Sequence, residues 1–141
     1  MAIANQTGWT GGKAILASSA SYGMVDALTS GPLAKLMSAP ILLQEPGAEL
    51  NPDTKAARMN LNVKTVYVTS GTAVISQAVL DELKVMHITV ESLGGVDRFE
   101  TSTKIANKMV TLGAPVTKVA VTYGRPEPRC YFDRLDCFCC Q

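Results

Sequence analysis

Cysteine is missing from the first 129 residues of this 141-residue chain; all four (Cys130, Cys137, Cys139, Cys140) crowd into the last twelve. A disulfide-stapled secreted domain distributes its cysteines through the core, so the body of this protein must be held by packing alone. Histidine occurs once, at His87. One imidazole with no thiolate in the body cannot assemble a familiar zinc site, and neither a metal nor a cofactor is expected. A Ser-His-Asp triad would have to use that same histidine, and no serine sits in a nucleophile-elbow sequence. The simpler reading of His87 is a turn residue ahead of a strand. The glycine fingerprints G-x-G-x-x-G and G-x-x-x-x-G-K-[ST] are both missing, which speaks against a nucleotide site even where Ser70-Gly71-Thr72 follows a strand and precedes a helix. No apolar run reaches the roughly 18 residues that span a bilayer. An excess of either charge is lacking as well: 13 Lys and Arg against 12 Asp and Glu give a net charge of +1, too little for a general nucleic-acid binder. Aromatics are scarce, at 6%. Trp9 and Tyr22 could stack on sugar rings, but lone aromatics near element ends more often pack. Met1-Ala-Ile-Ala-Asn-Gln lacks a basic segment followed by an apolar run, so a secreted parent would carry its export signal upstream.

What remains is a globular composition, 47% hydrophobic and 18% charged, in which short apolar runs alternate with helical periodicity. Lys13-Ala-Ile-Leu-Ala-Ser reads as a buried strand. Gly23 to Met37 follows with apolar residues at helical spacing, interrupted where Gly31-Pro32 starts a new turn. Ala39-Pro40-Ile-Leu-Leu is a second buried strand, and Pro46-Gly47 a loop. Asn51-Pro52-Asp53-Thr54 opens a helix with a capping side chain, a proline at the first position and an acid in the first turn. Lys64-Thr-Val-Tyr-Val-Thr is rich in β-branched and aromatic residues and is the clearest strand. Ser76 is expected to cap a helix running to about Lys84. His87-Ile-Thr-Val is a further strand, Gly94-Gly95 turns the chain into a helix beginning near Phe99, and Lys118-Val-Ala-Val-Thr closes with another strand. Strands apolar on both faces that alternate with helices predict an α/β fold with a mostly parallel sheet covered by helices, joined by right-handed crossovers.

The chain also echoes itself. Ile3-Ala4-Asn5 recurs as Ile105-Ala106-Asn107, and Lys13-Ala-Ile-Leu-Ala recurs in character as Lys118-Val-Ala-Val-Thr, offsets of 102 and 105 residues. The spacing predicts tandem modules of about 100 residues, with the chain starting and stopping inside units.

Ala14-Ile-Leu-Ala-Ser, Val25-Asp-Ala-Leu, Gly31-Pro-Leu-Ala, Ala39-Pro-Ile-Leu-Leu, Val66-Tyr-Val-Thr-Ser-Gly-Thr-Ala-Val-Ile-Ser and Leu93-Gly-Gly-Val-Asp-Arg-Phe-Glu-Thr follow one another in an order and spacing that resemble the cell wall binding repeat 2 family. That family belongs to clostridia and related Gram-positive bacteria, and the resemblance runs from about Met1 to Gly124. It implies a Rossmann-like or Toprim-like three-layer module in a tandem-repeat array. It further implies neighbouring repeats packed in a trimer-like arrangement, and a surface protein held non-covalently on the wall by binding an anionic cell-wall polymer. Any catalytic domain, often an N-acetylmuramoyl-L-alanine amidase or a protease, would lie elsewhere in the parent. Two departures stand out: Thr69-Ser70-Gly71 at the glycine-containing strand end is a mild change, whereas Arg125 onward does not match at all. The expected division is a nearly complete repeat over 1–96, the start of the next over 97–124, and an aberrant tail over 125–141.

The most chemically loaded stretch is Gly94 to Thr101. Asp97 is placed to cap the following helix at its positively polarised end, and Arg98 offers a rigid five-donor fork for phosphate or carboxylate. Arg98, Asp97, Glu100 and Thr101 are therefore candidate ligand-binding residues. The competing account is a local ion-pair and capping network between repeats. Asp26 stands at a helix start after a strand and joins the candidates, although capping explains it more simply; no second carboxylate faces it for acid–base hydrolysis. Pro40, Ile41, Leu42 and Leu43 are core strand by pattern, and the resemblance adds contacts between repeats. No catalytic residue is expected. The alternatives are a fragment of an amidase whose catalytic domain lies outside this chain, and a structural spacer.

The tail follows no α/β period, and C-x6-C-x-C-C lacks paired C-x-x-C geometry for a metal. Back-translating Arg129 to Arg134 as CGA TGC TAT TTC GAT CGC and reading one base later gives Asp-Ala-Ile-Ser-Ile-Ala, a helix opening like Asp26-Ala-Leu-Thr at nearly the same distance from the preceding lysine. The tail is accordingly expected to be the product of a frameshift, with four cysteines that carry no function. Codons in the gene that encode no repeat-like helix in the adjacent frame would overturn this and return the cysteine cluster to consideration as a metal or redox site.

Overall fold

A computed structural model describes Trp9 and residues 11–21, 23–115, 117–119 and 121. The N-terminal copy of the Ile-Ala-Asn echo, Tyr22, and the tail with its cysteines lie outside the described residues.

Four short strands, β1 (Lys13–Ser18), β2 (Ile41–Gln44), β3 (Thr65–Val68) and β4 (Thr89–Ser92), form one parallel sheet in the order β2-β1-β3-β4. The apolar character of β1 explains its place in the middle: Ala14 through Ser18 are buried on both faces, as parallel strands covered by helices must be. The register pairs Ile15 with Ile41 on one side and with Tyr67 on the other. β4 forms an edge and is correspondingly more polar and more exposed.

Among the described residues five helices accompany the sheet: α1 (Met24–Thr29), α2 (Gly31–Met37), α3 (Pro52–Asn60), α4 (Gln77–Val85) and α5 (Arg98–Thr111). The period of two along the strands divides the core. Ala14, Leu16, Leu42, Val66 and Val68 face α3 and α4 and pack on Ala57, Val79, Leu80 and Leu83. Ile15 and Tyr67 face the other way and pack on Leu33 and Ala34 of α2 and Ile105 of α5. The chain moves outward from β1 to β2 with helices on one face, then returns past β1 to β3 and β4 with helices on the other. Connections of one constant hand require that alternation.

Local signals place the helix ends. Asn51 accepts a hydrogen bond from the Asp53 N–H at 3.0 Å, and Pro52 follows where its missing N–H costs nothing. Ser76 occupies the cap position of α4, but its hydroxyl donates to the Gly47 carbonyl at 2.9 Å instead of capping. The strand expected from His87 begins only at Thr89, because His87 sits in the left-handed region at φ 57° and ends the turn after α4. The strand expected at Lys118 is not formed among the described residues there: Lys118, Val119 and Val121 are exposed and unpaired with the sheet.

The boundary expected between residues 96 and 97 passes through this packed unit. α5 follows that boundary, yet its Ile105 and Thr101 are buried against the sheet it has just left. Among the described residues no helix is long and apolar enough to cross a membrane.

Candidate functional site

In open parallel sheets, ligands gather outside the carboxyl ends of the strands, where the winding direction reverses. Here that point lies between β1 and β3, and it is filled. Gly23, just ahead of α1, is buried so tightly that a Cβ would stand 2.8 Å from both Ser18 Cβ and Val74 Cγ1. Behind it the buried hydroxyls are spent within the chain: Ser18 Oγ accepts from the Ala20 N–H, Ser30 Oγ donates to the Ala27 carbonyl, and Ser70 Oγ accepts from the Ser18 N–H.

The opening that remains is a cleft of ≈ 220 Å³ further out on the same edge. α1 contributes Val25 and Asp26, the β3–α4 loop contributes Gly71, Ala73 and Val74, and the β4–α5 loop contributes Gly95 to Arg98. Gly71 and Gly94 stack the two loops backbone against backbone, and Gly95 lets the second loop press on the first turn of α5. A Cβ on Gly94 would lie 2.3 Å from the Ser70 carbonyl oxygen, one on Gly71 2.8 Å from that of Gly95, and one on Gly95 2.6 Å from Glu100 Cβ.

The stretch after Gly94 is then tied to the first turn of α5. Asp97 Oδ1 accepts from the Glu100 N–H at 2.8 Å, and Glu100 Oε2 reaches back to accept from the Val96 N–H at 2.7 Å. This reciprocal pair is a variant of the capping box. Thr101 Oγ1 accepts from the Gly95 N–H and donates to the Asp97 carbonyl, both at 2.9 Å. Lys104 donates to the Gly94 carbonyl and pairs with Glu100, each at 3.1 Å. The Val96 N–H and, after it, Lys104 hold the Glu100 carboxyl below its ordinary range.

The sequence-derived candidates thus separate into two groups. Asp97, Glu100 and Thr101 have their side chains committed to building the loop. Arg98 is exposed, and among the described residues it makes no hydrogen bond or ion pair. Asp26 is not a cap: α1 begins at Met24 with Gly23 before it, and Asp26, inside the helix, lines the cleft. Partial burial pushes its pKa up, and the charge of Arg98 opposes that shift. The cleft therefore joins a carboxylate and a guanidinium that are far apart in the sequence. Val25, Gly71, Ala73, Val74 and Val96 were not legible as lining residues; Gly71 and Gly95 were visible as glycines, but nothing local tells that their loops meet.

Pro40 and Leu42 are buried within this chain, so in this unit they belong to its own core, and Ile41 packs on the second core cluster. Leu43 alone of the four is exposed, at 48%. It joins Met24, Val25 and Leu28, which leave α1 with an uncovered apolar surface and no buried residue. Among the described residues, no three His, Cys, Asp or Glu side chains stand close enough to hold a metal ion.

Comparison with known proteins accords with this architecture. Over 107 residues the chain is 27% identical to the N-acetylmuramoyl-L-alanine amidase LytC of Bacillus subtilis, covering 76% of this chain and 21% of that protein. It is 36% identical over 100 residues to an uncharacterised protein of Pyrococcus horikoshii, covering 69% of this chain and 30% of that one. Among solved structures, Cwp6 from Clostridium difficile superposes with a TM-score of 0.69 at 28% identity, over 78% of this chain and 17% of its own. The chain thus spans a third or less of the length of each of these relatives. Cell wall binding domain 2 matches residues 1–80 of the 141, more than half of the sequence, and the chain belongs to that family.

Proposed function

We propose that this chain contributes to holding its parent protein on the wall of a Gram-positive bacterium by binding an anionic wall polymer at the carboxyl-edge cleft, without catalysis. One observation carries the assignment of the site. Among the described residues Arg98 has no partner at the cleft, while Asp97, Glu100, Thr101 and Lys104 around it fix the loop that presents it. A guanidinium held on a rigid platform keeps its fork for phosphate or carboxylate. Each such contact is modest, and affinity for a polymer grows when several modules engage one chain. Neighbouring repeats would supply that multiplicity, and the uncovered surface of Met24, Val25, Leu28 and Leu43 offers them an apolar face. Secretion of the parent, the trimer-like arrangement and a second repeat opening near residue 97 belong to the same proposal.

The test is retention on purified cell walls. Arg98→Ala is expected to weaken retention by about tenfold, the size of a lost charge-assisted hydrogen bond. The deficit should be largest at low salt, since screening already weakens the native contact at high salt. Unchanged retention by a variant with a native circular dichroism spectrum overturns the assignment. Incubation with peptidoglycan is expected to release no amino sugars or peptides; dose-dependent release that survives repurification would place a hydrolase here instead.

A further inference from the structure

A polyanion site with a carboxylate in its wall calls for an explanation. Asp26 lines the same cleft as Arg98, half-buried. At equal distance its negative charge repels a bound phosphate as strongly as the guanidinium attracts it. Among the described residues Arg98 is the cation whose charge acts on it, and no other cation is free to pair with it. Lys104 is occupied by the Gly94 carbonyl and Glu100, and Lys108 by Glu91 at 2.7 Å. Among the described residues no side chain or N–H donates to the Asp26 carboxylate. Its position is also fixed without its carboxylate, because its backbone carbonyl accepts from the Thr29 and Ser30 hydroxyls. Of the remaining walls, Val25, Gly71, Ala73, Val74, Gly95 and Val96 offer no side-chain charge, and Asp97, whose Oδ1 is taken up by the Glu100 N–H, adds a second carboxylate and no cation. The cleft is smaller than the roughly 300 Å³ that begins to enclose a drug-sized molecule, so it takes one polymer unit at a time. Whatever enters meets a cationic fork and an anionic acceptor together.

We infer that Asp26 makes the cleft selective for a zwitterionic polymer unit, one in which a primary ammonium accompanies the phosphate or carboxylate held by Arg98. This rests on the polymer-binding reading above and goes beyond it by naming the ligand class. Two sources carry that chemistry: an aminoacyl ester on the polymer and an unacetylated amino sugar within it.

Retention of the 141-residue chain is measured on three preparations of purified Gram-positive walls: untreated, treated with mild alkali to remove aminoacyl esters, and acetylated to cap every amine. Acetylation is expected to weaken binding by about fivefold, the upper range for an ion pair that is not fully buried. Alkali should reproduce that loss if the ammonium is an ester's and leave binding unchanged if it is an amino sugar's. Asp26→Asn should abolish the difference between untreated and acetylated walls, whereas Asp26→Glu should keep it. Arg98→Ala should weaken binding to all three preparations. Equal binding of the native chain to untreated and acetylated walls, with Arg98→Ala still impaired, overturns the selectivity and leaves the polymer site standing. A preference that survives Asp26→Asn in a folded variant also overturns it. Failure to bind any preparation overturns both readings.

Discussion

At the scale of single residues, space and not conformational freedom makes Gly94 irreplaceable. A methyl group there would meet the Ser70 carbonyl oxygen at 2.3 Å, and a backbone atom cannot rotate aside as the end of a side chain can. Gly94→Ala is expected to cost more than the roughly 1–3 kcal/mol typical of overpacking, read from denaturant midpoints. Gly47→Ala is the control: nothing lies within 4 Å of its added Cβ, and its effect should stay within about 0.5 kcal/mol. Asp97→Ala removes an N-cap bond of 2.8 Å and should cost about 1 kcal/mol. Because the same bond steadies the platform under Arg98, wall retention should fall together with stability.

At the scale of elements, Glu82 ties α4 to the turn that leads into α3. Its carboxylate accepts from the Leu50 N–H at 2.8 Å and pairs with Lys55. Those two contacts, Lys55 first, hold its pKa below the ordinary value. A carboxyl lowered by folding contributes stability above its unfolded pKa, and that contribution is lost as pH falls through the lower, folded value. The native chain should therefore lose stability on acidification through and below the usual carboxylate range. Glu82→Gln should be less stable at neutral pH and flatter over that acid limb in thermal melts at stepped pH. A Gln variant that loses as much stability on acidification as the native chain would remove Glu82 from the account.

At the scale of the whole molecule, the expected start of a further repeat at residue 97 coincides with a helix that packs on this unit. The repeat pattern assigns α5 to the next module, yet Ile105 is buried with Ile15, Leu33, Tyr67 and Leu93 of this one. Shortening the chain to residue 96 uncovers that face. Ile105→Ala alone should cost about 2–5 kcal/mol, and the shortened chain is expected to lose its cooperative thermal transition. A chain ending at Pro115 should keep it, since Lys118, Val119 and Val121 are exposed. A cooperative melt in the chain ending at residue 96 would support the boundary drawn from the repeat. The other uncovered apolar residues, Met24, Leu28 and Leu43, predict that the isolated chain associates at high concentration and that added neighbouring repeats suppress this.

The sequence by itself determined the features whose causes lie within a few residues. Asn51-Pro52-Asp53 and Asp97-Arg98-Phe99-Glu100 open helices because cap, proline and first-turn acid act locally. The apolar strands between them fix a parallel α/β class because both faces need cover. Asp26 as a cap, Ser76 as a cap and a strand from His87 were misread for the complementary reason. Each was assigned from local preference, and each is decided by a partner elsewhere: the cleft opposite Arg98, the Gly47 carbonyl, and the turn that closes α4. Only the tertiary structure decided that Leu42 is buried while Leu43 is exposed, that α5 covers this sheet, and that Gly71 and Gly94 let two loops stack and set a guanidinium beside a carboxylate. Those outcomes depend on the strand order β2-β1-β3-β4, which brings distant loops to one edge, and no periodicity along the chain encodes which loops will meet there.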